Sequence, residues 1–313
     1  MLLTILICTH DRAELLGKTL ASLNGATKPA GWKVEVLVIA NACSDATHAF
    51  LDDYQRVPSG RLPLRWYEEP TPGKSHALNQ AITRIVADLV AFVDDDHRVD
   101  ATYLIAVCQA ADEYPDADLF CGRILPDWDG SEPAWVHEAG PYRVYPLPVP
   151  RFNLGDEPRT ITPDIAIPGG GNLFLRGPWL KRVGAFSVEL GPVGHNLGGA
   201  EDTDWVLRAL ALGAKLRYVP GVVQHHYVDR ERLKLRYLLG KAYERTASSV
   251  RMQHFGARGI PLYLYRKLFG YFISALTAWS TPRRRFFLVR LAASLGEVRG
   301  YRLAHRDRTR RAT

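Results

Sequence analysis

Three aspartates in a row, Asp94, Asp95 and Asp96, follow directly on the mostly apolar run from Ala87 to Val93. Carboxylates packed that tightly repel one another unless a cation neutralises them. A hard divalent ion, Mg²⁺ or Mn²⁺, is the partner that carboxylate and phosphate oxygens favour. A solvated turn or a helix N-cap accommodates an Asp run as well, so the rest of the chain has to decide. A second acidic group, Glu201-Asp202-Thr203-Asp204, follows Gly198-Gly199-Ala200 at an expected helix start. Negative charge is at home at a helix N-terminus. Yet metal-assisted transfer to a hydroxyl needs two such clusters, one on a metal–diphosphate and one to take the acceptor proton.

Smaller groups fall at other expected element ends. Thr9-His10-Asp11-Arg12 closes the first strand, and Arg12 there either meets a phosphate or pairs with Asp11 on the surface. Asn41-Ala42-Cys43-Ser44-Asp45 closes the second, where it contacts a nucleoside or caps a helix through Ser44 or Asp45. Pro72-Gly73-Lys74-Ser75-His76 opens a helix. Amide donors and one cation at such a turn suit an anion, although the glycine spacing of a P-loop is absent. His225 and His226 end a later strand; either fits a structural place or a metal shell.

Positioning these groups is the task of alternating strands and helices. Strand patterns fall at Leu3–Cys8, Val34–Ile39, Leu64–Tyr67, Leu89–Val93 and Leu119–Gly122, with helical periodicity at 13–23, 45–54, 74–86 and 102–113 between them. That alternation predicts an α/β fold with a doubly wound, mostly parallel, Rossmann-like sheet. Ligands bind such sheets at the carboxyl ends of the strands, where the aspartates fall. Residues 126–168 break the pattern with Pro, Trp and Tyr, which predicts a long functional loop, a lid or an acceptor wall. Regular structure resumes at Gly169-Gly170-Gly171-Asn172, then a helix near 178–183, a helix at 201–212 and strands near 215–219 and 222–226.

The charge is divided unevenly. The 313 residues carry a net +7, but residues 229–313 hold 20 Lys and Arg against 5 Asp and Glu, while residues 1–228 hold 20 against 28. This predicts a catalytic domain over 1–228 and a basic amphipathic helical extension over 229–313 that faces an anionic surface. Leu268–Pro282 has no charge across 15 residues and is flanked by Arg266-Lys267 and Arg283-Arg284-Arg285. It falls short of the roughly 20 apolar residues of a membrane span and suits a helix lying in the membrane interface; a packed core helix or dimer contact is the alternative. Cys8, Cys43, Cys108 and Cys121 show no metal or redox spacing, as in a reducing compartment. The first run, Leu2–Cys8, reads as a strand rather than a signal peptide.

In their order, these pieces resemble the family-two glycosyltransferases, enzymes of the GT-A fold that use nucleotide-diphosphate sugars. The resemblance rests on Ile7 to Arg12, Asn41 to Asp45, Gly73 to Asn79, Val93 to Asp96, Gly171-Asn172, Gly199 to Asp204 and Val219 to His225, over about residues 1–228. It implies that Asp94 and Asp96 form the metal-binding DxD element, with Asp96 the direct ligand and His225 at the metal or diphosphate. It implies Asp202, in the Glu201-Asp202 pair, as catalytic base. Thr9, Arg12, Asn41, Asp45, Lys74, Asp94, Asp95 and Asn172 then fall to the nucleotide sugar. One departure stands out: Ala40-Asn41 replaces the Asp-Asp or Asp-Asn with which many relatives read the base, so the nucleobase stays open.

The expected activity is an inverting, Mn²⁺- or Mg²⁺-dependent transfer from a nucleotide-diphosphate sugar to a hydroxyl of a glycan or lipid-linked acceptor. Surface polysaccharide synthesis at the cytoplasmic face of a membrane is the expected setting. Transfer to a polyprenyl phosphate is the enzymatic alternative, and a catalytically dead sugar-nucleotide scaffold is the non-enzymatic one. The acidic body and the absence of a nucleic-acid module exclude nucleic acid as the partner of the basic tail.

Overall fold

The structure is a computed structural model that describes residues 1–56, 60–145, 147–190, 201–254 and 259–311. The chain divides into two compact units, Met1–Asp127 with Pro150–Tyr227, and Trp128–Val149 with Val228–Thr313. The second unit therefore takes in Trp128–Val149 as well as the basic region, whereas the sequence pattern left that segment in a long loop of the first domain.

The first unit is built on one mixed sheet. Its strands are β1 (Leu2–Thr9), β2 (Lys33–Asn41), β3 (Leu64–Glu69), β4 (Leu89–Phe92), β5 (His97–Val99), β6 (Leu119–Asp127), β7 (Arg159–Ile161), β8 (Leu173–Arg176) and β9 (Leu216–Tyr227). They run in the order β3-β2-β1-β4-β8-β6-β9-β5, with β7 paired to β9. The half β3-β2-β1-β4 is wholly parallel, as expected of buried strands joined by helical crossovers. Beyond it, β8 is antiparallel to both β4 and β6, and β5 to β9.

Alternation along β1 shows how both sheet faces are covered. Leu3, Ile5 and Ile7 face Leu16, Leu20 and Leu23 of α1 (Ala13–Gly25) together with Tyr103, Leu104 and Val107 of α4 (Tyr103–Glu113). Leu6 faces the other way, with Ala77, Leu78 and Ala81 of α3 (Lys74–Arg84) and Trp205 and Val206 of α6 (Glu201–Ala211). The helices α2 (Thr47–Arg56) and α5 (Pro178–Val183) complete the two layers. This is the doubly wound α/β class.

One strand differs from its sequence pattern. The two expected strands at 215–219 and 222–226 are a single strand, β9, whose pairing to β6 jumps from Cys121↔Tyr218 to Arg123↔Val223. Pro220 has no N–H to give the ladder, so pairing lapses there while the chain keeps its direction.

The second unit contains α7 (Leu235–Gln253), α8 (Tyr263–Leu276) and α9 (Thr281–Arg311). Leu264 of α8 packs with Val298 and Tyr301 of α9, and Val136 and Val149 pack with Leu233. The uncharged run Leu268–Pro282 is not one helix: α8 ends at Leu276, and α9 starts at Thr281 with Pro282 in its first turn. A proline is tolerated there and breaks a helix interior. The three arginines also part company. Arg285 bonds Glu138 at 3.0 and 3.1 Å, Arg283 stacks on Trp279 at 3.9 Å, and only Arg284 is exposed. Among the described residues no helix is long and apolar enough to cross a membrane.

Candidate active site

The carboxyl ends of β1, β2 and β4 open into a cavity of about 260 Å³ lined by Thr9, Arg12, Asn41, Lys74, the three aspartates and His226, among others. Its acidic wall is the turn after β4. Asp95 and Asp96 are buried and Asp94 is partly exposed. Thr9 Oγ1 donates to Asp95 at 2.7 Å, and one Arg12 nitrogen reaches Asp95 at 2.9 Å and Asp96 at 3.0 Å. Arg12 thus neutralises the aspartates rather than pairing with Asp11. Burial pushes the Asp95 carboxyl up to about 6, against the pull of Arg12.

Lys74, at the start of α3, joins the two acidic groups. Its Nζ donates to Asp94 Oδ1 at 3.1 Å and stands 3.7 Å from Asp202 Oδ2. Burial works against both charges of the pair. The carboxylates of Asp202 and Asp94 nevertheless hold the ammonium well above its usual range, and Lys74 holds Asp94 below the usual carboxylate range. Asp202 also accepts the Gly170 N–H at 2.9 Å. Its neighbours differ: Glu201 is 2% exposed, and Asp204 pairs with Arg208 at 2.9 Å. Gly198, Gly199 and Ala200 lie outside the described residues.

Two glycines let the backbone come this close. A Cβ on Gly170 would stand 2.6 Å from the Asp202 carboxylate, and one on Gly171 would stand 2.8 Å from both Asp94 Oδ2 and His97 Cε1. A side chain at either place would have to push these groups aside.

Two imidazoles stand beside the aspartates, and His226 lines the cavity. The antiparallel register pairs His97 with His226, which puts both rings on one side of the sheet with centroids 5.0 Å apart. His97 Nδ1 bonds Gln224 Oε1 at 2.5 Å. Gln224 is oriented in turn because its Nε2 donates to Phe92 O and Asn172 Oδ1, both at 3.0 Å. His226 Nδ1 donates to Tyr227 O at 2.6 Å. Each Nδ1 holds a proton, and the Nε2 atoms stand 4.0 and 3.6 Å from Asp96 carboxylate oxygens. Ligand atoms of Asp96, His97 and His226 all lie within 4.8 Å of one another. Two imidazoles and a carboxylate so placed suit a cation, and outer hydrogen bonds at Nδ1 orient the rings as they do in metal-binding histidines.

Several residues expected at the nucleotide sugar are bonded within the chain. Asn41 gives its Nδ2 to Glu69 O and Thr71 O and takes the Gly73 N–H on Oδ1, so its amide holds the turn before Lys74. Asp45 accepts from Thr47 and from the Ala13 N–H, capping α2 and α1. Asn172 is spent on Arg123 O, Val222 O and Gln224. His225 points away from the aspartates and bonds Asp100 at 2.8 Å, because alternate residues of a strand face opposite sides. The histidine of this pair that faces Asp96 is His226. His97 and Gln224 were missed in the sequence; His97 adjoins Asp96, and Gln224 shares the parity of His226, the one signal available.

The sequence profile described as glycosyl transferase family 2 matches residues 4–184, more than half of the chain. The chain belongs to that family. The glycosyltransferase is 23% identical over 238 residues to the succinoglycan biosynthesis protein ExoM of Rhizobium meliloti, a match covering 76% of this chain and 70% of that one. Solved structures with the same fold include the mannosyltransferase PcManGT from Pyrobaculum calidifontis in complex with GDP-Man and Mn²⁺. That structure is 17% identical with a TM-score of 0.52, covering 93% of this chain and 69% of that one. TarS of S. aureus, residues 1–349 with UDP-GlcNAc, is 16% identical with a TM-score of 0.53, covering 100% and 93%. The sheet and its flanking helices are thus those of the GT-A fold, and further helices follow toward the C-terminus.

Proposed function

We propose that this glycosyltransferase moves a sugar, with inversion, from a nucleotide-diphosphate sugar to a hydroxyl of a glycan or lipid-linked acceptor in polysaccharide synthesis. The single observation that carries the reading is the Asp94–Lys74–Asp202 chain of charges, with 3.1 and 3.7 Å steps, of which Asp94 and Lys74 line the carboxyl-edge cavity. Asp202 is the base that takes the acceptor proton, held in place by the Gly170 amide. Arg12 and Lys74 are the cations positioned for diphosphate oxygens. ExoM, by its name a biosynthesis protein for an exopolysaccharide, supports the setting, and the GDP-Man and UDP-GlcNAc complexes support the donor class.

Asp96, His97 and His226 are the residues that would hold a divalent ion. Bound there, the ion offsets the charge of the leaving diphosphate. A donor set with two imidazoles favours Mn²⁺ over Mg²⁺, which prefers oxygen alone; the Mn²⁺ complex of PcManGT supports the same choice. The second unit attaches to the cytoplasmic face of a membrane through α8, whose Tyr265, Phe269, Phe272 and Leu276 form an exposed stripe flanked by Leu262 and Trp279.

The test is calorimetry with a panel of nucleoside diphosphates, with Mn²⁺, with Mg²⁺ and with EDTA, followed by turnover of Asp202→Asn. Affinity should fall sharply in EDTA and in Asp96→Ala. Loss of a general base commonly costs about 10²–10⁴ in rate, with donor affinity unchanged. Equal nucleotide affinity with and without metal counts against the cation site. Near-normal turnover of Asp202→Asn moves the acceptor from a hydroxyl to a phosphate, which needs no base.

A further inference from the structure

The second unit encloses a cavity of about 260 Å³ between α7, α9 and the segment carrying Val144, Tyr145 and Pro148. On α7, Lys241, Arg245 and Ser249 recur every four residues and so share one face. Phe286, Val289 and Arg290 of α9 face them with the same helical spacing. Three cations line the cavity, and no carboxylate does.

Among the described residues the acids of this unit are committed elsewhere. Glu244 pairs with Arg299, Glu231 with Lys234 and Arg236, and Glu138 with Arg285. Among the described residues Lys241 finds only a carbonyl, Pro148 O at 2.6 Å, and Arg290 only the Phe286 ring. Burial and the neighbouring Arg232 and Arg245 push the Lys241 ammonium down to about 8. Like charges gathered around an apolar floor are unfavourable until an anion joins them.

We propose that this cavity binds the phosphate head of an anionic amphiphile. Lys241, Arg245 and Arg290 take the phosphate, and Phe286 and Val289 take the first carbons of its chain. The apolar floor selects against a free anion, which gains nothing from it, and α8 of the same unit already exposes an apolar stripe. The site lies wholly in the second unit and stands apart from the transfer reaction, so either can fail without the other.

Calorimetry on the full chain decides it, with dihexanoyl phosphatidic acid below its micelle concentration, dihexanoyl phosphatidylcholine and inorganic phosphate as probes. Phosphatidic acid should saturate one site about tenfold or more tighter than inorganic phosphate, since each buried methylene adds to affinity, and tighter than the zwitterion. Arg245 and Arg290 are exposed, so the double variant Arg245→Gln/Arg290→Gln keeps its melting temperature and should lose about tenfold or more. Val289→Asp should abolish binding, while nucleoside diphosphate affinity stays unchanged in both. Inorganic phosphate matching phosphatidic acid, unchanged affinity in the double variant, or no saturable binding by any probe would each overturn the assignment.

Discussion

At Gly171 one hydrogen atom decides whether the site can form. A methyl group there would meet Asp94 and His97 at 2.8 Å, pushing a carboxylate and an imidazole apart. Gly171→Ala should therefore lower metal-dependent nucleotide affinity by about tenfold or more, the scale of disturbed ligand orientation, with the fold intact. Gly169→Ala, where a Cβ meets nothing within 4 Å, is the control. Equal affinity in the two variants would remove the steric account. Asp94 itself makes a pH prediction. Its folded value lies below the unfolded 3.8, so the folded state binds fewer protons; the stabilisation is complete above about pH 4 and is lost on further acidification. The gap in melting temperature between wild type and Asp94→Asn should hold at pH 6 and narrow toward pH 3; a constant gap would speak against the Lys74 pairing. The aspartates and Lys74 were legible in the sequence because their types and density allow little else. The internal bonds of Asn41, Asp45 and Asn172 were not legible, because residue type says what an amide or carboxylate is able to bond, and not which backbone group reaches it first.

Strand parity separates two histidines that the sequence leaves side by side. The sequence shows His225 and His226 together at a strand end, and choosing between them needs an alternation counted along β9. Pro220 and Gly221 spoil that count, since pairing slips there. β5, three residues long, leaves too little pattern to recognise, so His97 went unseen although it adjoins Asp96. The parallel half of the sheet was legible from its apolar runs. The mixed half, with β8 inserted antiparallel between β4 and β6, was not, because short strands of either direction look alike. Gln224 links the two halves through His97, Asn172 and Phe92. Gln224→Leu should cost roughly 1–3 kcal/mol by leaving those buried groups unsatisfied. It should also weaken metal binding by about 10–100-fold through the freed His97 ring. Urea unfolding and a Mn²⁺ titration read the two effects separately; a stability loss without a metal effect would reduce Gln224 to a core residue.

The division of charge along the whole chain was plain in the sequence, but the break between α8 and α9 was hidden inside one uncharged run. Because Phe269, Leu276 and Trp279 are exposed, their joint replacement by Ser should leave the melting temperature nearly unchanged, at about 0.5 kcal/mol or less apiece. The same change should abolish sedimentation with anionic vesicles; retained sedimentation would mean that charge alone holds the protein there. The pairing of β5 with β9 has a further consequence, in time rather than in space. The parallel sheet β3-β2-β1-β4 is complete by residue 92, whereas the imidazole that faces Asp96 arrives at position 226. Contacts so far apart in sequence form slowly, so a refolding or newly made chain acquires its helices and most of its sheet while its catalytic edge is still unmade. Far-ultraviolet ellipticity should recover before Mn²⁺-dependent nucleotide binding does, in a stopped-flow experiment that follows both. If the two return together, the edge belongs to the folding nucleus and its histidines meet early.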